Sequence, residues 1–231
     1  MSENRNAVVL LSGGLDSAVT LALCHAEGFV AHALTIDYGQ RHRQELDAAR
    51  SVADALGVKR HITLAVDLTR WGGSALTGNE TVPTRREPSE MGREIPSTYV
   101  PARNTIFLSL AMGWAETLGS GDIFIGAHTL DYSGYPDCRP EFFRAFEQMA
   151  DVATRIGVTH GAQFRIHTPL LLSTKTDIVR RGTELRVPFE LTISCYQPDS
   201  RGLACGICDS CILRRRAFEE AGVADPTRYS A

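Results

Sequence analysis

Short apolar runs alternate with amphipathic segments of helical length along the whole chain. The runs predict β-strands at residues 7–11, 30–36, 60–64, 122–125 and 164–166, and the segments predict helices at residues 17–26, 40–56, 104–118, 140–156, 174–185 and 208–221. Such alternation is typical of α/β proteins, in which a mostly parallel sheet carries helices on both faces. We therefore predict a Rossmann-like parallel sheet of about five strands.

The chain of 231 residues contains no internal repeat, low-complexity tract or clear linker. We expect one domain over residues 1–231, with a C-terminal extension from about residue 190 to 231. The formal net charge of -3 provides no global basic field that would attract nucleic acid. The first apolar run is too short for a signal peptide, and no stretch approaches the ~18 apolar residues that cross a bilayer. We expect a cytoplasmic protein without membrane contacts.

Residues 66–100 are rich in glycine, proline and polar residues and are predicted to form a long irregular loop. A stretch of this length without secondary structure in a compact domain is more often a functional lid than an idle connection. We interpret it as a lid.

The first predicted strand runs into Ser-Gly-Gly-Leu-Asp-Ser, residues 12–17. Adjacent glycines let the backbone approach a ligand closely, and a helix start offers unpaired N–H groups and partial positive charge. At the carboxyl end of a parallel strand these features predict a phosphate site, with hydroxyl donors from Ser12 and Ser17. Asp16 fits such a site if it holds magnesium or orients the nucleotide. The alternative is a tight turn in which Asp16 caps the helix. The glycine spacing differs from that of the Walker motif.

This hexapeptide resembles the pyrophosphatase loop of the ATP-pyrophosphatases, whose fold is adenine nucleotide alpha-hydrolase-like. These enzymes cleave ATP between its α and β phosphates and transfer AMP to an oxygen. They include asparagine, GMP and NAD synthetases and tRNA-thiolating enzymes. The resemblance implies ATP and magnesium, and catalytic roles for Asp16 and Lys175. It assigns nucleotide binding to Leu11, Ser12, Gly13, Gly14, Leu15, Asp16 and Ser17, with Arg103 and Asn104.

Four further stretches narrow the resemblance. They are DYGQRHRQE at residues 37–45, YVPARN at 99–104, DYSGYPDCRPEF at 131–142, and a cluster of cysteines near the C-terminal end. Together they resemble the 7-cyano-7-deazaguanine synthases of queuosine biosynthesis, in the right order over nearly the whole chain. Ala102 departs from the pattern, because glycine is expected at that position in most relatives.

The resemblance implies that 7-carboxy-7-deazaguanine, ammonia and ATP give the nitrile base. A carboxylate is a poor electrophile because its leaving group is oxide, and adenylation supplies a better one. Ammonia can then form an amide. Removing the amide oxygen also needs activation, so one adenylating site could perform both steps.

Several polar and aromatic side chains are candidate substrate ligands. Asp131 or Asp137 could accept hydrogen bonds from the edge of a guanine-like ring, although either could equally form an Asp-turn. Candidates for stacking on the ring, or for ordinary packing, are Tyr132, Tyr135 and Phe142. Candidate ligands for phosphates and carboxylates are Arg139, Arg103, Arg41 and Lys175, although isolated basic residues are usually solvated. His42 and His128 could move protons, but lone histidines are more often structural.

Four of the six cysteines have metal-ligand spacing. Cys205, Cys208 and Cys211 are each separated by two residues, and Cys195 supplies a fourth thiolate from upstream, which predicts a tetrahedral structural zinc site. The rival is an iron–sulfur cluster, although the fourth cysteine followed by proline that ferredoxins use is missing. The two isolated cysteines, Cys24 and Cys138, are interpreted as structural. The basic run at residues 214–216 is interpreted as a solvated helix face.

Three other functions stay open at this stage. One is a tRNA-thiolating ATP-pyrophosphatase with an iron–sulfur cluster, and another is a zinc-bound nucleotide-binding or nucleic-acid module without turnover. The third is a relative that attaches the deazaguanine to another acceptor. The family resemblance favours small-molecule substrates (7-carboxy-7-deazaguanine, ammonia and ATP), no nucleic acid, and a homodimer.

Overall fold

The computed structural model describes residues 5–78, 80–87, 91, 95–128, 135–160 and 163–230. Its strands are β1 (Asn6–Leu10), β2 (Val30–Asp37), β3 (Arg60–Ala65), β4 (Asp122–Phe124) and β5 (Arg165–His167). Its helices are α1 (Leu15–Ala26), α2 (Gln44–Leu56), α3 (Arg103–Thr117), α4 (Pro140–Ala153), α5 (Arg155–His160), α6 (Lys175–Glu184) and α7 (Asp209–Ala221). Each predicted strand is present, and no strand end differs from the prediction by more than one residue.

The five strands form one parallel sheet in the order β3-β2-β1-β4-β5. In the register of the central pairs, Val8 lies opposite His32 on one side and Ile123 on the other. From β1 the chain forms β2 and then β3 on one side, and β4 and then β5 extend the sheet on the other side of β1. The predicted α/β class with a five-stranded parallel sheet is confirmed.

Both faces of the sheet are buried, which explains why β1 is apolar at consecutive positions. Alternate side chains of a strand point to opposite faces. Val9 packs in a cluster with α1, α2, α6 and α7, whereas Val8 and Leu10 pack in a second cluster with α3 and α4. Cys24 is fully buried in the first cluster, as its structural interpretation requires.

Helix α2 begins at Gln44, four residues later than the pattern of residues 40–56 suggested. The preceding residues have a different conformation because Gly39 adopts a positive φ of 79° and the Gln40 side chain accepts a hydrogen bond from the Tyr38 N–H. The side chains of Arg41 and His42 reach away from the helix to other loops, so this stretch joins segments rather than extending α2.

The helix predicted over residues 140–156 is two helices. Thr154 lies between them in an extended conformation, with φ -119° and ψ 153°. Its hydroxyl donates to the Ala150 carbonyl of α4 and accepts from the Gly157 N–H of α5. One threonine side chain therefore satisfies the end of one helix and the start of the next, as local side-chain bonds commonly do.

The connection between β3 and α3 is the long loop predicted from composition. Among its described residues the structure assigns one short 3-10 turn, Thr69–Trp71. An isolated bridge pairs Thr84 with Cys208, and the Arg85 N–H donates to the Ile207 carbonyl. The loop is thereby attached to the cysteine segment. Across the described ranges, no helix has the length and apolar character needed to span a membrane.

Candidate active site

The site lies where the sheet order reverses. The segment that follows β1 contains the Ser12–Ser17 hexapeptide, and the segment that follows β4 contains Gly126, Ala127 and His128. A β-carbon on Gly126 would lie 3.1 Å from the carbonyl carbon of Asp16, so the two segments are in close contact. Ligands of open α/β sheets bind in this crevice, outside the carboxyl ends of the strands.

The two glycines of the hexapeptide have different functions in the loop. Gly13 has a φ of 83°, and a side chain there would collide with the backbone of α2, including the Ala49 nitrogen at 2.6 Å. Gly14 is the N-cap of α1, and no side chain caps that helix. The first amide groups of α1 are consequently available to an anion. The alternative interpretation, in which Asp16 caps the helix, is not what the structure shows.

The two serine hydroxyls fix the shape of the loop. Ser17 Oγ accepts from the Ser12 N–H at 3.2 Å and donates to the Gly14 carbonyl at 3.0 Å. Ser12 Oγ lies 3.1 Å from Ser17 Oγ and 3.3 Å from the Gly14 nitrogen. The loop is therefore preorganised by its own side chains.

Asp16 and Lys175 form an ion pair at the mouth of the crevice. Lys175 Nζ donates to both carboxylate oxygens of Asp16, at 2.8 and 2.6 Å, and lies 3.3 Å from His128 Nε2. Burial opposes the charged form of Asp16, but Lys175 and His128 outweigh it and hold the pKa of this carboxyl well below its usual range. Lys175 is the first residue of α6, and the preceding Thr174 forms a capping box with Asp177 that fixes the helix start.

A cavity of about 270 Å³ extends from this pair across the ends of the strands. The hexapeptide forms one wall, and the end of β2 with the start of α2 forms the next. Arg103 and Asn104 at the start of α3 also line the cavity, where Asn104 Nδ2 donates to the Asp137 carbonyl at 3.0 Å. The structure thus brings Asp16, Lys175, Arg103 and Asn104 to one cavity.

The other predicted ligands have varied positions. Asp131 and Tyr132 lie outside the described residues. Asp137 is buried against the start of α3, where its carboxylate accepts a hydrogen bond from the Asn104 N–H at 3.0 Å. It does not line the cavity. Arg139 is exposed at the N-cap of α4 and is also absent from the cavity wall. The predicted contact of these four residues with substrate stays a prediction.

The remaining candidates have structural partners. Arg41 donates to the carbonyls of Gly78 and Glu80 in the long loop, and His42 Nε2 contacts the Tyr196 carbonyl. Tyr135 lines the cavity with its hydroxyl 3.0 Å from Thr98 Oγ1. Phe142 packs against the second apolar cluster, and Cys138 is buried beside Asn104 at 3.3 Å.

Sequence reasoning did not single out Glu45 and Tyr38, although both belong to the quoted stretch DYGQRHRQE. Both line the cavity, Glu45 from the first turn of α2 and Tyr38 from the end of β2. For Glu45, the sequence signal that could have identified it is helical spacing, because Glu45 precedes the small residues Ala48 and Ala49 by three and four positions. That spacing places its side chain on the buried face of α2.

The four clustered cysteines converge as predicted. The sulfur atoms of Cys195, Cys205, Cys208 and Cys211 all lie within 4.8 Å of one another. A tetrahedral ion with metal–sulfur bonds of about 2.3 Å needs sulfur separations of roughly 3.8 Å, which suits this set. The Cys205 N–H donates to Cys195 Sγ at 3.2 Å, and the Cys208 N–H donates to Cys205 Sγ at 3.4 Å. These donors favour thiolates, which a metal requires. An iron–sulfur cluster would hold its four sulfurs further apart, with iron and sulfide between them.

The basic run at residues 214–216 is not a uniformly solvated face. Arg215 and Arg216 are exposed, but Arg214 is 1% exposed. Its guanidinium donates to Asp225 at 3.1 Å and to the hydroxyls of Thr192 and Ser194 at 2.8 and 3.1 Å. The expectation was wrong for Arg214, because a partly buried carboxylate and two hydroxyls satisfy its charge and its donors.

A parallel sheet with a glycine-containing loop at its switch point and an ion pair beside that loop is typical of nucleotide-binding α/β proteins. The model of the family described as "Queuosine biosynthesis protein QueC" matches residues 6–222. The chain therefore belongs to the QueC family of queuosine biosynthesis proteins.

Curated relatives match over nearly their full length. A 7-cyano-7-deazaguanine synthase of Methylococcus capsulatus is 60% identical over 223 residues, which cover 96% of this chain and 98% of that protein. The 7-cyano-7-deazaguanine synthase of Myxococcus xanthus is 57% identical, with 98% of each chain covered. Among solved structures, a predicted subunit of a tRNA methyltransferase from Methanocaldococcus jannaschii has a TM-score of 0.51 at 16% identity, covering 98% of this chain and 92% of that one. That similarity extends to the fold alone.

Proposed function

We propose that this chain converts 7-carboxy-7-deazaguanine and ammonia to 7-cyano-7-deazaguanine at the expense of ATP, in queuosine biosynthesis. The observation that carries the proposal is the cavity at the switch point, which joins a phosphate-binding loop and the Asp16–Lys175 pair to space for a second planar ligand. The relatives that match this chain over nearly its full length, at 57% and 60% identity, bear the name of that synthase.

The phosphates of ATP would lie on the hexapeptide, at the uncapped start of α1. Lys175 would donate to a phosphate oxygen, exchanging one of its two hydrogen bonds to Asp16 for that contact. Asp16 would hold magnesium, since one carboxylate together with phosphate oxygens is a usual ligand set for that ion. When bound, the ion would neutralise charge on the departing pyrophosphate. Arg103 and Asn104 would line the nucleotide from the side of α3.

The acid-to-nitrile conversion removes two oxygen atoms from one carbon. The substrate carboxylate would attack the α phosphate, release pyrophosphate and become a mixed anhydride with AMP. Ammonia would replace AMP to give the primary amide. The amide oxygen would then attack a second ATP, and loss of AMP with two protons would leave the nitrile. Both oxygens therefore depart as part of AMP, from the same pocket.

The planar base would occupy the part of the cavity that Tyr135 lines, and Asp131, Tyr132, Asp137 and Arg139 come from the same stretch of the sequence. We keep these four as substrate-binding residues, with a carboxylate reading the donor edge of the ring.

The cysteine set would hold zinc as a structural ion. All four ligands come from the protein, which leaves no position for a reacting water. We further propose that residues 1–231 act as one domain with the segment from about 190 to 231 as its zinc-bound extension. We expect a cytoplasmic homodimer that acts on small molecules. Nucleic acid is not an expected partner, because the net charge of -3 provides no general attraction for it.

The deciding assay combines the purified protein with ATP, magnesium, ammonium and 7-carboxy-7-deazaguanine, and follows products by mass spectrometry. The expected products are the nitrile, AMP and pyrophosphate. The amide supplied alone should give the nitrile with ATP and without ammonia. An inert amide, or release of ADP and phosphate, would contradict the two-adenylation scheme, and no consumption of the acid would contradict the proposed substrate.

A further inference from the structure

Glu45 is an acidic side chain in the wall of the cavity. It lies in the first turn of α2, on the same face as Ala48 and Ala49, which pack against the hexapeptide: a side chain on Gly13 would meet the Ala49 nitrogen at 2.6 Å. Asp47 lies in the same turn on another face, where its side chain is 76% exposed. The backbone of Glu45 is thus fixed against the phosphate-binding loop while its side chain lines the cavity.

The carboxylate of Glu45 is not consumed by structural contacts. Within the described part of the chain it accepts no hydrogen bond and belongs to no ion pair. Two titratable groups in the described part of the chain interact electrostatically with this carboxylate. They are Arg103 of α3 and Tyr38 at the end of β2. The Asp16, Lys175 and His128 cluster is paired within itself. Among the other titratable groups that line the cavity, His42 contacts the Tyr196 carbonyl and Arg41 contacts the long loop.

We propose that Glu45 accepts the proton from the substrate nitrogen at both nitrogen-dependent steps of the reaction, an inference that rests on the proposed function. In the first step the ammonia nitrogen bonds to the carbonyl carbon, the bond from that carbon to the AMP oxygen breaks, and one N–H proton passes to Glu45. In the second step an N–H bond of the adenylated imidate breaks. Its electron pair completes the carbon–nitrogen triple bond, AMP leaves with the carbon–oxygen pair, and Glu45 takes the proton.

The environment of Glu45 suits a base at neutral pH. Burial raises the pKa of this carboxyl to about 7, with the positive charge of Arg103 acting in the opposite direction. A base is most effective when its pKa lies near the working pH. By contrast, Asp16 has its pKa held well below its usual range by Lys175 and His128 against the effect of burial, so it is a poor proton acceptor. Of these two cavity carboxylates, Glu45 therefore has the proton affinity that the reaction needs.

The test compares Glu45→Gln with Asp47→Asn, a matched removal of one negative charge from the same helical turn. Glu45→Gln is expected to lower kcat for amide formation at least ~100-fold, the usual contribution of general base catalysis, with the KM for ATP little changed. Asp47→Asn should behave as wild type. In the amide-to-nitrile half-reaction, which involves no ammonia titration, the wild-type rate should rise through about pH 7 and then level, whereas the variant should show no such limb.

Hydroxylamine separates proton transfer from adenylation. Its adduct loses a proton to water more easily than that of ammonia, so Glu45→Gln should form the hydroxamate at near wild-type rate. An equal loss of hydroxamate and amide formation would overturn the inference and place Glu45 in adenylation or folding. Ammonia-dependent turnover within a few-fold of wild type would also overturn it. Failure of the proposed function has a different signature, in which the wild-type protein itself forms neither amide nor nitrile.

Discussion

Ala102 is a residue with a side chain in a backbone conformation that favours glycine. Its φ and ψ are 54° and 22°, in the left-handed region, and it is the N-cap of α3 immediately before Arg103 and Asn104. It is also a position where glycine is expected in most members of the family that the sequence resembles. We expect Ala102→Gly to stabilise the protein.

The magnitude follows from two opposing effects. The left-handed conformation costs a residue with a β-carbon roughly 1–2 kcal/mol, which glycine avoids. Glycine loses about 0.5–1 kcal/mol more conformational free energy on folding than alanine. Glycine is also the better N-cap, where alanine is among the poorest residues. Ala102 is exposed, so little packing is lost. The net expectation is a gain of about 0.5–1 kcal/mol, or a rise of roughly 1–4 °C in the unfolding midpoint for a chain of this size.

Differential scanning calorimetry and urea unfolding would measure the change. Ala55→Gly is the matched control, because Ala55 is an exposed residue in the last turn of α2, where glycine should cost up to about 1 kcal/mol. The same substitution should therefore have opposite signs at the two positions. A lower midpoint for Ala102→Gly, with the expected loss at Ala55, would refute the argument that the backbone at position 102 is strained.

Three other perturbations test the charges and the metal site. Asp16→Ala is expected to slow pyrophosphate release at least a hundredfold with the fold intact, because one charged contact in a dry site contributes on the order of 3 kcal/mol; wild-type rates would remove Asp16 from the mechanism. Cys208→Ser should give poorly soluble, zinc-depleted protein whereas Cys24→Ser keeps its zinc, since structural zinc contributes ~10 kcal/mol or more of binding energy; elemental analysis that finds iron, or no metal in active protein, would contradict this. Glu45→Gln should be more stable than wild type above pH 7, by on the order of 3 kcal/mol. The folded protein retains a proton up to about pH 7 that the unfolded chain releases near pH 4.5, so the free energy of unfolding of the wild type falls between these two pH values. Equal pH dependence of unfolding in variant and wild type would contradict that raised pKa.

The sequence predicted the sheet, the tight loop after β1 and the convergence of four cysteines because each depends largely on local information. Strand β1 is apolar at consecutive positions since both its faces are buried, and the cysteine spacing by itself brings three sulfurs to one ion. Lys175 was assigned from family resemblance, but its partner could not be read from the chain. Asp16 and Lys175 are 159 residues apart, and only the parallel crossovers of the sheet bring them within 2.6 Å.

What the sequence did not predict depends on tertiary partners. Helical spacing places Arg214 on the same face of α7 as Cys211 and Phe218, but a charged residue on that face is usually solvated. Its burial depends on Asp225 and on the hydroxyls of Thr192 and Ser194, which accept its hydrogen bonds and come from other parts of the chain. Contacts between distant parts of the chain likewise determine which of the basic and aromatic candidates line the cavity. Arg41 joins the long loop, whereas Arg103 lines the cavity.

The cysteine segment forms part of the wall of the cavity and is not a separate appendage. The Ile193 N–H donates to the carbonyl of Gly13 in the phosphate-binding loop at 3.0 Å, and Ser194 and Tyr196, on either side of Cys195, line the cavity. On the other side of the metal ligands, Asp209 is 1% exposed and pairs with Arg86 of the long loop.

A metal bound by the four thiols would therefore fix two contacts at once: the hydrogen bond from Ile193 to Gly13, and the attachment of residues 84–86 of the long loop to the cysteine segment. Because Cys208 also pairs with Thr84 through the backbone, a movement of this part of the loop would disturb one of the four cysteines. A structural ion bound there would therefore influence the cavity through the cysteine segment, without contacting a ligand in the cavity. Partial loss of zinc should consequently raise the KM for the deazaguanine acid before it unfolds the sheet, since β1 to β5 and their two apolar clusters include none of the four cysteines.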